Sequence, residues 1–208
     1  MPMLKRFKRF ILRLFGKKPE IRLGIYGPPN TGKTTLANRI CLDFTGEELG
    51  TVSEVPHETR EVQKKERVVI EHNGKRMTIN LLDMPGISTK VDYKEFMKFG
   101  MKKKDAMLRS KEATRGIVEA IKWLDNVDAC LVVFDSTKNP YTQVNVTILG
   151  NLEAKGIPII VVANKIDLKG AEPEKIRDAF PQYHFVEISA KEGKNVDKLY
   201  KEIIEKLG

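Results

Sequence analysis

Ile21-Arg22-Leu23-Gly24-Ile25-Tyr26 runs directly into Gly27-Pro28-Pro29-Asn30-Thr31-Gly32-Lys33-Thr34, an apolar run of strand length followed by G-x-x-x-x-G-K-T. The two glycines let successive backbone N–H groups turn inward, and a lysine and a hydroxyl follow at the spacing that grips a polyphosphate. After Thr34 the chain continues Thr35-Leu36-Ala37-Asn38-Arg39-Ile40-Cys41-Leu42-Asp43-Phe44. There Leu36, Ile40 and Phe44 recur at helical spacing. Strand, glycine-rich loop and helix in this order predict a phosphate-binding loop on an α/β scaffold.

The rest of the chain extends the same pattern. Val68-Val69-Ile70 and Met77 to Leu82, joined through His72-Asn73-Gly74-Lys75, read as a hairpin with an Asn-Gly turn. Ala129 to Phe134 and Ile157 to Ala163 are continuous apolar runs, as expected of central parallel strands covered on both faces. Tyr183 to Ile188 supplies a sixth strand. Helices are predicted at about 106–125, 141–155, 172–180 and 194–207, the first with Ile117, Val118, Ile121 and Leu124 on one face. Residues 45–62 read as a long mobile loop, and residues 87–105 as irregular and lysine-rich. The expected fold is a doubly wound, mostly parallel six-stranded sheet with helices on both faces.

The chain has 208 residues, enough for one sizeable domain, and a formal charge of +9. Residues 1–18 carry seven lysines and arginines and no acid, so the remainder is only +2. That distribution excludes a uniformly basic coat protein. The two cysteines, Cys41 and Cys130, are far apart in apolar segments and read as buried thiols in a reducing cytoplasm, without a disulfide framework or zinc site. Within residues 1–18, Leu4, Phe7, Phe10, Ile11, Leu14 and Phe15 share one helical face, and Lys5, Arg6, Arg9, Arg13 and Lys17 the other. This basic amphipathic arm, set ahead of a domain at 19–208, fits three surfaces: an anionic membrane, which would make the protein peripheral there, ribosomal RNA, or the domain itself.

Four further motifs follow the phosphate loop in order. They are Thr59-Arg60 in the loop, Asp83-Met84-Pro85-Gly86 after the hairpin, Asn164-Lys165-Ile166-Asp167 after an apolar strand, and Ser189-Ala190-Lys191 after the last strand. With these the chain resembles the translation-factor-like GTPases, most closely the Era, MnmE and EngA group, over about residues 20–208.

The resemblance implies a P-loop NTPase G domain that binds GTP and GDP and hydrolyses GTP as a molecular switch. It implies catalytic roles for Asn30, Lys33, Thr59 and Gly86. The nucleotide would be held by Asn30, Thr31, Gly32, Lys33, Thr34 and Thr35, and by Asn164, Lys165, Asp167, Ser189, Ala190 and Lys191. Thr34, Thr59 and Asp83 would serve Mg²⁺, and Asn30 would serve K⁺. A carboxylate at Asp167 can accept both guanine N1–H and the exocyclic N–H, the Ala190 N–H would meet the guanine O6, and Asn164 would tie this loop to the phosphate loop. Ile87 stands where many small GTPases carry a water-orienting glutamine, and Thr89 where MnmE uses a catalytic acid, so slow hydrolysis is expected. A non-hydrolysing guanine-nucleotide adaptor is the alternative, and Asp167 argues against an ATPase. Glu58 and Glu95, in the two loops, are not selected by any pattern as the water-orienting group. Era itself carries a C-terminal RNA-binding KH domain for which no segment follows Gly208, so RNA binding is not carried over. Lys98 to Lys104 forms a second basic patch that suits a protein effector.

Overall fold

Central strands buried on both faces and an alternating hairpin at one edge make up the sheet. In the computed structural model, which describes residues 20–50, 61–88 and 91–207, the strands are β1 Ile21–Tyr26, β2 Gln63–His72, β3 Lys75–Asp83, β4 Ala129–Asp135, β5 Ile159–Asn164 and β6 His184–Glu187. They form one six-stranded sheet in the order β2-β3-β1-β4-β5-β6. All neighbours are parallel except the β2–β3 hairpin. The helices are α1 Lys33–Thr45, α2 Tyr93–Met97, α3 Lys103–Trp123, α4 Gln143–Ala154, α5 Pro173–Ala179 and α6 Val196–Leu207.

Two apolar layers sandwich the sheet. Leu23 and Ile25 of β1 join Ile79 and Leu81 of β3 under Leu36 and Ile40 of α1 and Leu199 and Ile203 of α6. On the other face Tyr26, Leu82, Val132 and Val161 pack with Ala120, Leu149 and Ile176. The Tyr26 hydroxyl, buried there, donates to the Ala120 carbonyl at 3.1 Å, which satisfies its polar end inside the apolar layer. Cys41 and Cys130 are both buried free thiols. No helix among the described residues is long and apolar enough to cross a membrane.

Several expected boundaries shift. β2 and β3 are longer than the apolar runs, because the hairpin ladder continues through Gln63↔Asp83 at one end and His72↔Lys75 at the other, with a bulge between Lys65 and Val68. β5 starts at Ile159 because Pro158 has no N–H to donate; its carbonyl still accepts from Cys130 N–H at 2.9 Å. The segment expected to be irregular contains α2, capped by Asp92, whose side chain accepts the Lys94 N–H. The face assigned to α3 was also displaced. Its buried stripe is Ala106, Arg109, Ala113, Gly116 and Ala120, continued by Leu124, whereas Val118 and Ile121 are exposed. Ala106 and Ala113 pack against Phe96 of α2, and only Ala120 and Leu124 join the layer on the sheet. Of the loop expected at 45–62, Thr45 closes α1 and residues 51–60 lie outside the described residues, as do residues 1–18.

Candidate functional site

The sheet order makes β1 the pivot between β3 and β4, and the loops leaving the C-terminal ends of β1, β3, β4, β5 and β6 converge, the usual ligand position in an open α/β sheet. Gly27 has φ 151°, and a Cβ there would lie 2.4 Å from the Val133 carbonyl oxygen. Gly32 has φ 91°, and its Cβ would lie 2.3 Å from Asn164 Nδ2. Only glycine allows both the turn and this close approach. Gly32 then opens α1, whose first-turn N–H groups, including those of Thr34 and Thr35, face the loop.

Asn164 is the hub of the convergence. Its buried side chain donates from Nδ2 to the Thr31 carbonyl at 2.9 Å and accepts at Oδ1 from the Ala190 N–H at 2.9 Å. One amide thus joins the phosphate loop, the β5 loop and the β6 loop. The Ala190 N–H, which the resemblance assigns to guanine O6, donates here to the buried Asn164 Oδ1. Ser189, also buried, braces the same loop by accepting the Glu192 N–H at Oγ, 3.1 Å. Lys191 is exposed. Asp167 projects into solvent on a turn fixed by Ile166 N–H to the Ile188 carbonyl, 3.2 Å, and Leu168 N–H to the Lys165 carbonyl, 3.1 Å.

Lys165, with φ 69°, donates from Nζ to the Asn30 carbonyl at 2.5 Å and to Asp135 Oδ2 at 2.7 Å. Asn30, with φ 60°, lies exposed at the loop rim. Asp135 is almost fully buried and also accepts the Thr137 N–H and hydroxyl, at 3.0 and 2.7 Å. Although burial alone would raise its carboxyl, the bonds from Lys165 and Thr137 hold it below the ordinary carboxylate range. Motif matching missed Asp135. Its signal was positional: like Asp83 and Asn164, it is the polar residue that ends an apolar strand. Arg39 of α1 was missed as well, and it donates to the Ala190 and Lys191 carbonyls at 3.3 and 3.0 Å.

At the phosphate end, Thr34 donates its hydroxyl to Asp83 Oδ2 at 2.6 Å. Asp83 is fully buried, and its Oδ1 has no hydrogen-bond partner. Burial pushes this carboxyl up to about 6, against the pull of the Thr34 hydroxyl and the nearby Lys33. Lys33 donates to the Pro28 carbonyl at 2.8 Å, and burial pushes its ammonium down to about 8, opposed by Asp83 and assisted by Lys165. Gly86 lies against the phosphate loop, where a Cβ would come within 2.9 Å of Pro29 Cα. The neighbouring Ile87 N–H donates to the Gly27 carbonyl at 3.2 Å. Thr59 is outside the described residues.

This donor set fits Mg²⁺. A hydroxyl and a buried carboxylate with an unpaired oxygen suit a small hard cation that takes one or two protein ligands and completes its shell with phosphates and water. No group of three or more His, Cys, Asp or Glu side chains among the described residues competes for a metal.

Residues 22–165 match the family described as 50S ribosome-binding GTPase. The chain belongs to this GTPase family. It is 31% identical over 188 residues to the tRNA modification GTPase MnmE of Nitrosospira multiformis, covering 90% of this chain and 35% of MnmE. It is 33% identical over 190 residues to the GTPase Era of Alkaliphilus oremlandii, covering 88% of this chain and 54% of Era. A crystal structure of Era in complex with MgGDPNP and a segment of 16S ribosomal RNA matches with a TM-score of 0.66 at 27% identity, over 89% of this chain and 56% of that one. The chain therefore spans about a third to a half of the length of these relatives.

Two outcomes follow for this GTPase domain. Replacing Asp135→Asn keeps the shape but removes the charge that holds Lys165, and should weaken GTP binding by about 1.5–3 kcal/mol, measured by calorimetry. In ligand-free protein, Asp83 binds its proton more tightly folded, at about 6 against an ordinary 3.8, than unfolded. Its contribution to stability is therefore full below pH 3.8 and lost as pH rises through about 6. Thermal melts should show that decline, and Asp83→Asn, which still accepts from Thr34, should flatten it.

Proposed function

We propose that the domain binds GTP through the loops joined by Asn164 and hydrolyses it slowly to GDP and phosphate in a Mg²⁺- and K⁺-dependent cycle, acting as a switch. The observation that carries this reading is the Asn164 bridge, which holds the phosphate-side loop and the two loops after β5 and β6 at a fixed separation, as a ligand spanning them requires.

Phosphoryl transfer needs positioning and charge stabilisation, with little covalent work from the protein. Lys33, already beside the loop carbonyls, swings toward the β and γ phosphates, and the N–H groups of Gly32, Lys33 and Thr34 line the cradle. Thr34 and Asp83 would hold Mg²⁺, which spreads the negative charge of the β and γ oxygens when bound. The Gly86 backbone, close to Pro29, stands where a γ phosphate would be sensed. Asp167, exposed at the mouth, accepts from the guanine edge, and an adenine would leave that carboxylate unsatisfied.

Slow chemistry follows from Ile87. Its side chain packs against the apolar layer and has no atom that can orient a water. A K⁺ ion held by the exposed Asn30 would supply positive charge of the kind an arginine finger supplies elsewhere, a contribution of about 10³ to 10⁵ in rate. The same isoleucine also supports the second reading, a nucleotide-binding adaptor without hydrolysis. Single-turnover phosphate release distinguishes the two.

Asp167→Asn should shift preference from guanine toward xanthine nucleotides, read by competition binding; unchanged GTP affinity would refute the base-reading role. Turnover in KCl should exceed that in matched NaCl by about 10² or more, the scale on which a single preorganised electrostatic group acts, and Asn30→Ala should remove the difference. Equal rates in the two salts would end the K⁺ assignment.

A further inference from the structure

Residues 189–195 form a short loop after β6. Its ends are tied by the Ser189 N–H, which donates to the Lys194 carbonyl at 3.0 Å, and by the Asn195 side chain, which donates to the Glu187 carbonyl at 3.1 Å. Within it, Ala190-Lys191 is held from two directions. Asn164 Oδ1 accepts the Ala190 N–H at 2.9 Å. Arg39 of α1 donates to the two carbonyls, from Nε to Ala190 at 3.3 Å and from a terminal nitrogen to Lys191 at 3.0 Å.

Arg39 lies in the second turn of the helix that the phosphate loop opens, so it is a second strut between the phosphate side and the β6 loop. Asp43, one turn on, pairs with it at 3.8 Å and accepts the Tyr200 hydroxyl of α6 at 2.6 Å. Tyr200 is buried, its ring edge-on to Phe44 with centroids 4.8 Å apart. The guanidinium is therefore braced on one side by a carboxylate that a buried tyrosine anchors, and its rigid fork of donors meets two successive carbonyls on the other.

Holding a carbonyl also aims the amide beside it. In a trans peptide the C=O and N–H point in opposite directions, and none of the described peptides is cis. With the Ala190 carbonyl turned to Arg39, the Lys191 N–H is turned away from it. The next peptide behaves alike: the Lys191 carbonyl faces Arg39, and the Glu192 N–H donates to Ser189 Oγ at 3.1 Å. The Lys191 N–H differs in having no partner among the described residues. It is a donor fixed in direction and open to a ligand.

Building on the guanine-nucleotide reading above, we infer that Arg39 is a positioning residue for base recognition. It orients the Ala190–Lys191 peptide so that the Lys191 N–H meets the oxygen at C6 of guanine, while Asn164 retains the Ala190 N–H. Adenine carries an amino group at that position and offers no acceptor there. Arg39 thus adds to the discrimination made by Asp167 without touching the nucleotide.

Arg39→Met removes both donors and keeps most of the aliphatic stem. In the full chain with Mg²⁺, release of GDP labelled with a fluorophore on the ribose should be about tenfold faster than in the parent, the lower end of what charge-assisted hydrogen bonds contribute. GDP affinity by calorimetry should fall in step, and Arg39→Lys, which keeps one charged donor, should recover part of the loss. Inorganic tripolyphosphate, which has no base, and 2-aminopurine riboside diphosphate, which lacks the C6 oxygen, should each bind parent and Arg39→Met alike. Asp43→Asn keeps an acceptor for Tyr200 and leaves the Arg39 bonds to the loop, and should change GDP release by less than about twofold, as expected of a part-exposed ion pair. Unchanged GDP release in Arg39→Met, or equal losses for all three ligands as a general loosening of the fold would give, overturns the inference. A parent that bound no guanine nucleotide would bring down the GTPase reading as well. A parent that binds GDP, beside an Arg39→Met variant that binds it as tightly, would sink this inference alone.

Discussion

The carboxamide of Asn164 is the constraint on which the site depends. It bonds the Thr31 carbonyl and the Ala190 N–H at 2.9 Å each, and both contacts are buried, where an unmade hydrogen bond costs far more than in water. It therefore fixes the phosphate loop and the loops after β5 and β6 relative to one another. Gly32 is obligatory for the same reason, since any side chain there would displace the amide.

Around that hub the site concentrates charge in a place poor in water. Asp83 is neutralised more readily than an ordinary carboxyl and Lys33 loses its proton more readily than an ordinary amine, both because burial disfavours the charged forms. Such a pair is costly to keep in the absence of counter-charges and becomes favourable when a polyanion and a divalent cation enter together. Stability is therefore spent on readiness to bind, while Asp135, better supplied with donors, keeps its charge and holds Lys165 over the rim of the phosphate loop.

Much of this was legible in the chain itself. The G-x-x-x-x-G-K-T run after a strand, the D-x-x-G, N-K-x-D and S-A-K segments in order, and the apolar runs of β4 and β5 led to the sheet and to the loops that converge at the C-terminal ends of its strands. Less legible was anything governed by partners distant in sequence. Asp135 and Arg39 lie in no motif, and their roles arise only because Lys165, 30 residues on, and Ala190, 151 residues on, fold back to meet them. The inward face of α3 was misread because periodicity favours large apolar residues, whereas the buried stripe is made of Ala106, Ala113, Gly116 and Ala120, the first two packed against Phe96 of α2 and the last against the sheet layer.

Local patterns determined the strand, loop and helix identities, the glycine positions and the chemical character of each loop, since backbone sterics and side-chain period act over a few residues. Tertiary structure alone decided which face of α3 is buried and that the Ala190 N–H meets Asn164 Oδ1. These depend on which buried donors and acceptors must satisfy one another across the sheet, and no stretch of contiguous residues contains both members of such a pair.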